Sequence, residues 1–192
     1  WIPGLPVLER RAVWVSPRAA AGPAEVWLRW GNGPGISLGT VEIAGRPRRF
    51  EPPPYDIPVG ERFPGLAELV GISLDRTTVQ AGETLNVRLV WRALNEDPIE
   101  RSYVVSVQVL NGEGRLVGQD DRPPGNGTSP TTSWVNGEYI EDAHPVTFRE
   151  PLIGEGRLIV VFYDPDTLQR VRAADGRDHI ELPVRVRGAP SP

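Results

Sequence analysis

Between Thr84 and Val186, apolar residues return at every second position in one segment after another, and Gly, Pro, Asn and Asp interrupt the segments. Successive side chains of a β-strand point to opposite sides of the pleat, so this period buries one face and leaves the other wet. Leu85-Asn86-Val87-Arg88-Leu89-Val90-Trp91 alternates in this way, and Val105-Ser106-Val107-Gln108-Val109 repeats it. Arg157 to Tyr163 is a continuous apolar run of strand length, and Ile180, Leu182, Val184 and Val186 alternate again. With almost no helix-length periodicity between these runs, the pattern predicts an all-β protein, an Ig-like antiparallel β-sandwich with additional N-terminal strands.

Three divisions follow along the chain. Residues 1–45 read as N-terminal strands, with candidates at 12–15, 25–30 and 36–43. Residues 46–64 read as a Pro-rich linker, because prolines lack a backbone donor and favour extended structure. Residues 65–187 read as the sandwich, with strands at 66–74, 84–94, 103–110, 116–119, 139–148, 156–163, 168–172 and 180–186. A six-residue helix at 64–69 competes with the first of these. Asn111-Gly112-Glu113-Gly114 lies between two alternating runs and is read as a tight hairpin turn. A partial internal repeat is one reading, in which Gly22, Val26, Leu28, Ile36, Leu38, Val41 and Ile43 parallel Gly156, Val160, Phe162, Ile180, Leu182, Val184 and Val186; the other is that any two β-hairpins share such a pattern. On the repeat reading residues 1–45 are the end of a preceding repeat.

Composition sets the class. With 192 residues, 39% hydrophobic and 24% charged, the chain can bury a core without Cys or a metal, and it has no Cys. The lack of Cys excludes thiol catalysis and leaves the redox compartment open. Every basic side chain is Arg, Met is absent, and Gly and Pro number 21 each, a bias expected of GC-rich coding or a heat-tolerant source. A net charge of −4, with Arg interleaved among Asp and Glu, argues against a nucleic-acid partner. The chain opens at Trp1 without an initiator Met and is read as an excised piece. No Gly-x-Ser-x-Gly elbow and no phosphate-binding Gly motif occurs. No cofactor is expected.

Few residues offer chemistry. Asp120, Asp142 and His144 could gather as an acid/base set or metal ligands; alternatively, Asp120 and Asp121 end a strand and pair with Arg. Asp164, Asp166, Asp175 and Asp178 could offer oxygen to Ca²⁺, or form salt-bridged turns with Arg170, Arg172 and Arg177. Trp134 lies in a polar stretch and could stack on a sugar ring with Tyr139 and Tyr55 beside it, or could plug the open end of the sandwich. Trp91 is read as core, and Trp27 or Trp30 as covering the seam between the two parts. Asn126-Gly127-Thr128 fits the N-glycosylation pattern and reads first as a loop.

Several of these residues carry a resemblance: Val90-Trp91-Arg92-Ala93-Leu94, then Thr132-Ser133-Trp134-Val135-Asn136-Gly137-Glu138 with Asp142 and His144, then Phe162-Tyr163-Asp164-Pro165. Over most of residues 20–187 the chain resembles the extracytoplasmic β-sandwich domains appended to bacterial membrane proteins of the dolichyl-phosphate-mannose glycosyltransferase type, often found in tandem in Chloroflexi-like bacteria. The resemblance implies a non-catalytic module outside the membrane, tethered through a part of the protein not in this chain. Its partners would be the parent membrane domain or a neighbouring repeat, with carbohydrate a further candidate. The expected function is an accessory spacer or a glycan-recognition module, with Trp134, Asn136, Glu138 and Asp142 as the ligand-binding set and no catalytic or metal residues. The alternatives are a purely structural tandem repeat, and a small hydrolase using Asp120, Asp142 and His144.

Overall fold

The computed structural model describes residues 10–13, 15, 16, 19–80 and 82–189. They divide into two compact units, Trp1–Arg46 and Pro47–Pro192. In the first, β1 (Gly22–Leu28) and β2 (Ile36–Ile43) form an antiparallel hairpin. The register places Gly22 opposite Ile43, Ala24 opposite Val41 and Leu28 opposite Ile36, and it slips by one residue after Val26. Of the strand expected at 12–15, Ala12, Val13 and Val15 are not in a strand and Trp14 lies outside the described residues. Trp27 and Trp30 are both exposed.

Among the described residues the second unit carries nine strands: β3 (Ile57–Phe63), β4 (Ala67–Leu74), β5 (Thr78–Val79), β6 (Thr84–Ala93), β7 (Val104–Leu110), β8 (Leu116–Arg122), β9 (Tyr139–Phe148), β10 (Glu155–Tyr163) and β11 (Ile180–Gly188). They hydrogen-bond in the order β3-β4-β6-β9-β8-β7-β10-β11-β5, antiparallel except for β11 with β5. The join between β8 and β9 is narrow, only Gly118 opposite Phe148 and Gln119 opposite Thr147. It separates a four-stranded half from a five-stranded half.

Ring contacts show that these halves face each other. Trp91 on β6 and Phe162 on β10 have three strands between them in the hydrogen-bonded order, yet their ring centroids are 4.8 Å apart. Phe63 on edge strand β3 meets Phe162 edge-on at 5.2 Å. A flat sheet cannot make these contacts, so the sheet curls on itself as a sandwich does. The expected all-β architecture is the one observed. Its core follows the period of two: Leu85, Val87, Leu89, Trp91 and Ala93 of β6 point in, as do Val105, Val107 and Val109 of β7. The continuous run on β10 is buried on both faces from Leu158 to Phe162. Sheet edges are blunted, with Pro58 and a register slip on β3 and only two residues in β5.

Three local expectations need correction. The stretch 46–64 is not a free linker. Residues 57–63 are β3, Arg49 bridges to Tyr139, and Pro53 is buried. Prolines removed donors there but left carbonyls and Arg side chains to bind the sheet, and an edge strand tolerates Pro58. No helix forms at 64–69. Pro64-Gly65 makes a tight turn, with the Leu66 amide donating to the Phe63 carbonyl at 3.0 Å and Gly65 at φ +72°. Residues 168–172 supply a single bridge from Arg170 to Tyr163 rather than a strand, because Leu168 sits at φ +59° and breaks the extended path. The Asn111–Gly114 turn forms as expected. The Asn111 side-chain oxygen accepts from the Glu113 and Arg115 amides at 3.0 and 2.9 Å, and Gly114 has φ +81°.

Phe162 touches Phe63, Trp91, Tyr103 and Trp134, so it fixes the spacing between the halves. Phe162→Ala is expected to lower unfolding stability by about 3–5 kcal/mol, because a cavity opens between four rings. In urea unfolding this is a fall in midpoint with little change in slope.

Candidate functional site

The inward face of β9 departs from the apolar pattern. Ile140, Asp142, His144, Val146 and Phe148 all point into the sandwich, and two of these five are polar. Pairing in β9 brings Asp142 opposite Leu89 and His144 opposite Val87, deep in the four-stranded half. A carboxylate placed there must be saturated with donors. The Asp142 Oδ1 accepts from the Gly125 amide at 2.9 Å. Its Oδ2 accepts from His144 Nε2 at 3.0 Å and from Trp91 Nε1 at 3.3 Å. The other ring nitrogen, His144 Nδ1, donates to Asp120 Oδ2 at 2.8 Å. Asp120, on β8, also takes a forked pair of bonds from Arg122, one of them from Nε at 2.6 Å.

His144 thus stands between two carboxylates. Burial alone would push its pKa down, but the hydrogen bonds and charges of Asp120 and Asp142 outweigh it and raise the pKa above the ordinary value of 6.5. Burial likewise pushes Asp120 up, and the bonds from His144 and Arg122 overcome it and hold that carboxyl below 3.8. When the imidazole is protonated, it and the Arg122 guanidinium balance two carboxylates. The sequence offered these three residues as a hydrolytic set, and the fold does bring them together. Both ring nitrogens of His144 are bonded to carboxylates, so in this arrangement the ring faces neither a nucleophile nor solvent. An open groove of ≈ 550 Å³ runs beside the cluster, with Arg88, Arg122, Ala143 and Pro145 in its wall. The imidazole shows no surface to solvent.

A second buried ion pair lies where β9 begins. Glu138 is fully buried, and its Oε2 accepts from Arg48 Nη1 at 2.6 Å and from the Val135 amide at 3.3 Å. The same Arg48 nitrogen donates to the Ser133 carbonyl at 3.0 Å. Trp134 is buried next to this pair in sequence. Its Nε1 donates to the Ser129 carbonyl at 2.8 Å, and its ring stands edge-on to Phe162 at 6.2 Å. Both clusters hold the connection from β8 to β9. That connection turns through positive φ at Gly125 (+61°), Asn126 (+53°) and Gly127 (+86°), and at Gly125 a Cβ would lie 2.8 Å from the Thr128 hydroxyl.

The expected ligand-binding set therefore does not meet at a surface. Trp134, Glu138 and Asp142 are buried, and only Asn136 is exposed. A sugar-stacking ring must present a face to solvent, and Trp134 is instead buried in the core against Phe162. Asn126 of the glycosylation pattern is exposed on the turn. The acidic turns are salt-bridged: Arg101 to Asp164, Arg177 to Asp175, and Arg170 to Asp178 at 3.0 Å. Among the described residues no group of three or more His, Cys, Asp or Glu is placed to hold a metal ion. Sequence reading missed Arg48, whose partner lies 90 positions away. It also took Trp91 as core alone, whereas its indole nitrogen reaches Asp142. A buried Trp normally finds such a partner, and that was the available signal. No protein-family model matches the chain, and no curated protein matches it.

Two measurements probe these clusters. The raised pKa of His144 stabilises the fold fully below about pH 6.5, and this contribution is lost as pH rises through the folded-state value. Depressed Asp120 contributes above about pH 3.8, and its share is lost as pH falls through its folded-state value. Stability is thus expected to be highest between these limits. The decline on the neutral-to-alkaline side should vanish in His144→Gln, as read by urea midpoints across pH 4 to 9. Tyr163, also raised, acts only above about pH 10. Trp134→Ala is expected to cost about 3–5 kcal/mol of stability in the same assay, the range for emptying a buried aromatic site.

Proposed function

We propose that this chain is a non-catalytic β-sandwich module that acts as a spacer or structural support. Its setting is extracytoplasmic, tethered to a membrane glycosyltransferase through a part of the protein not in this chain. The observation that carries the non-catalytic reading is the closed order Asp120–His144–Asp142, in which both imidazole nitrogens are bonded to carboxylates and the ring is sealed from solvent. The setting and the membrane partner rest on the resemblance of residues 20–187 to tandem extracytoplasmic sandwich domains. Of the two roles such a module could play, support is favoured over glycan recognition, since Trp134 is buried and three of the four candidate contact residues face the core.

The test is turnover and binding with the intact chain. Generic ester and glycoside substrates are expected to show no hydrolysis above buffer, and a glycan array no bound sugar. Hydrolysis that disappears in Asp142→Asn would overturn the non-catalytic reading. A sugar retained on the array would restore the recognition role.

A further inference from the structure

A protonated imidazole carries two N–H groups, whereas the neutral ring carries one N–H and one lone pair. His144 is engaged on both sides, with Nε2 3.0 Å from Asp142 Oδ2 and Nδ1 2.8 Å from Asp120 Oδ2. Only the protonated ring can donate to both carboxylates. Once it loses a proton, one nitrogen turns a lone pair on a carboxylate oxygen at hydrogen-bond distance, and that contact becomes repulsive. The surroundings decide which of the two yields. Asp142 is fully buried, and without the imidazole it keeps only the Gly125 amide and the Trp91 indole, out of reach of water. The Asp120 side chain is 12% exposed and keeps the forked bonds of Arg122. Losing the imidazole therefore costs Asp120 less, and the remaining ring proton belongs on Nε2.

Among the described residues, the other charges near the ring are already committed. β6 brings Val87, Leu89 and the neutral Trp91 indole to this face. In the groove beside the ring, Arg88 is held by Glu141 at 2.9 Å and Ser73 at 3.1 Å, and Asp75 by Asn86 at 2.9 Å and Arg76 at 3.3 Å. The contact that yields lies at the thinnest seam of the sheet. β9 is laddered to β6 from Tyr139 to Thr147, and β8 to β7 from Leu116 to Arg122. Between β8 and β9 the ladder holds only Gly118 opposite Phe148 and Gln119 opposite Thr147, with the Arg149 amide donating to the Val117 carbonyl at 3.0 Å just beyond. Asp120 follows Gln119 directly, so its bond to His144 continues that short ladder through side chains.

We propose that the Asp120–His144 bond is a proton-operated latch on the β8–β9 seam. It is closed while the ring holds both protons, and it releases as pH rises, when His144 keeps its Nε2 proton on Asp142 and gives up Asp120. β8 then parts from β9 while still laddered to β7, and the turn at Gly125 stays fastened to Asp142. The sandwich loosens at one seam and keeps its fold. The two carboxylates place the transition above the ordinary 6.5 of a histidine, so the closed form prevails below that pH and is lost as pH passes the folded-state value. The latch operates whether the module supports a neighbour or recognises a ligand.

The experiment titrates the intact, nitrogen-15-labelled chain from pH 5 to 9 and reads the His144 ring nitrogens by NMR, together with amide hydrogen exchange relative to unstructured peptide at each pH. Above the transition the ring is expected to be protonated at Nε2 and bare at Nδ1. Across it, exchange of the Arg149 amide is expected to rise about tenfold or more, while the Gly125 amide changes by less than about twofold. In Asp120→Asn the new amide can donate to the bare Nδ1, so the Arg149 response to pH is expected to disappear. A ring protonated at Nδ1 at high pH, unchanged exchange at Arg149, or equal rises at Arg149 and Gly125 would overturn the proposal. So would a folded Asp120→Asn chain that keeps the full response; if that chain does not fold, the readings on the unmodified chain decide alone.

Discussion

A carboxylate on the inward face of a central strand cannot shed its charge into water, and the inner polar architecture of the sandwich is arranged around that fact. Asp142 occupies such a position because β9 alternates strictly, so residue 142 points in as surely as Ile140 and Val146 do. Its needs orient the Trp91 indole, favour the protonated form of His144, draw in Asp120 from β8, and fasten the turn at Gly125. Removing one member of such a network is expensive, while replacing all of it with apolar side chains often costs nothing. It ties β6, β8 and β9 to one another through side chains.

This polar arrangement and the aromatic one share a residue. Trp91 gives its nitrogen to Asp142 and its ring to Phe162, so the network on the four-stranded half and the ring contacts across the sandwich are set by one side chain. The join between β8 and β9 holds few ladder bonds, but Asp120 on one strand and Asp142 on the other are linked through a single imidazole. Side chains there do what the ladder does elsewhere. The connection between those strands can then afford unusual backbone at Gly125 and Asn126.

Much of this was written in the sequence, and the limits of its legibility are physical. Strands β6, β7 and β11 were plain because a period of two survives where one face is buried, β10 because its apolar run is continuous, and the Asn111 turn because Asn and Gly supply its chemistry. β3 was hidden by Pro58 and Gly60, which read as linker and are tolerated only because this strand lies at an edge. Asp120, Asp142 and His144 were visible as a set, since two of them share a strand face. Their arrangement was not, because the order of proton donors and acceptors depends on how far β8 curls toward β9. The Arg48–Glu138 pair left no trace at all, for nothing local couples residues 90 positions apart. Trp134 misled because a polar neighbourhood in sequence is not a polar neighbourhood in space.

The place of Phe162 in the chain has a consequence for biogenesis. Synthesis runs from the N-terminus, and the residue that spaces the two halves sits on the penultimate strand, with β11 still to follow. Until that late segment emerges, Phe63 and Trp91 lack their shared neighbour and β7 keeps an open flank. The nascent polypeptide must therefore carry uncovered grease through most of its elongation. Exposed apolar strands of that kind are the usual starting point for tangled chains.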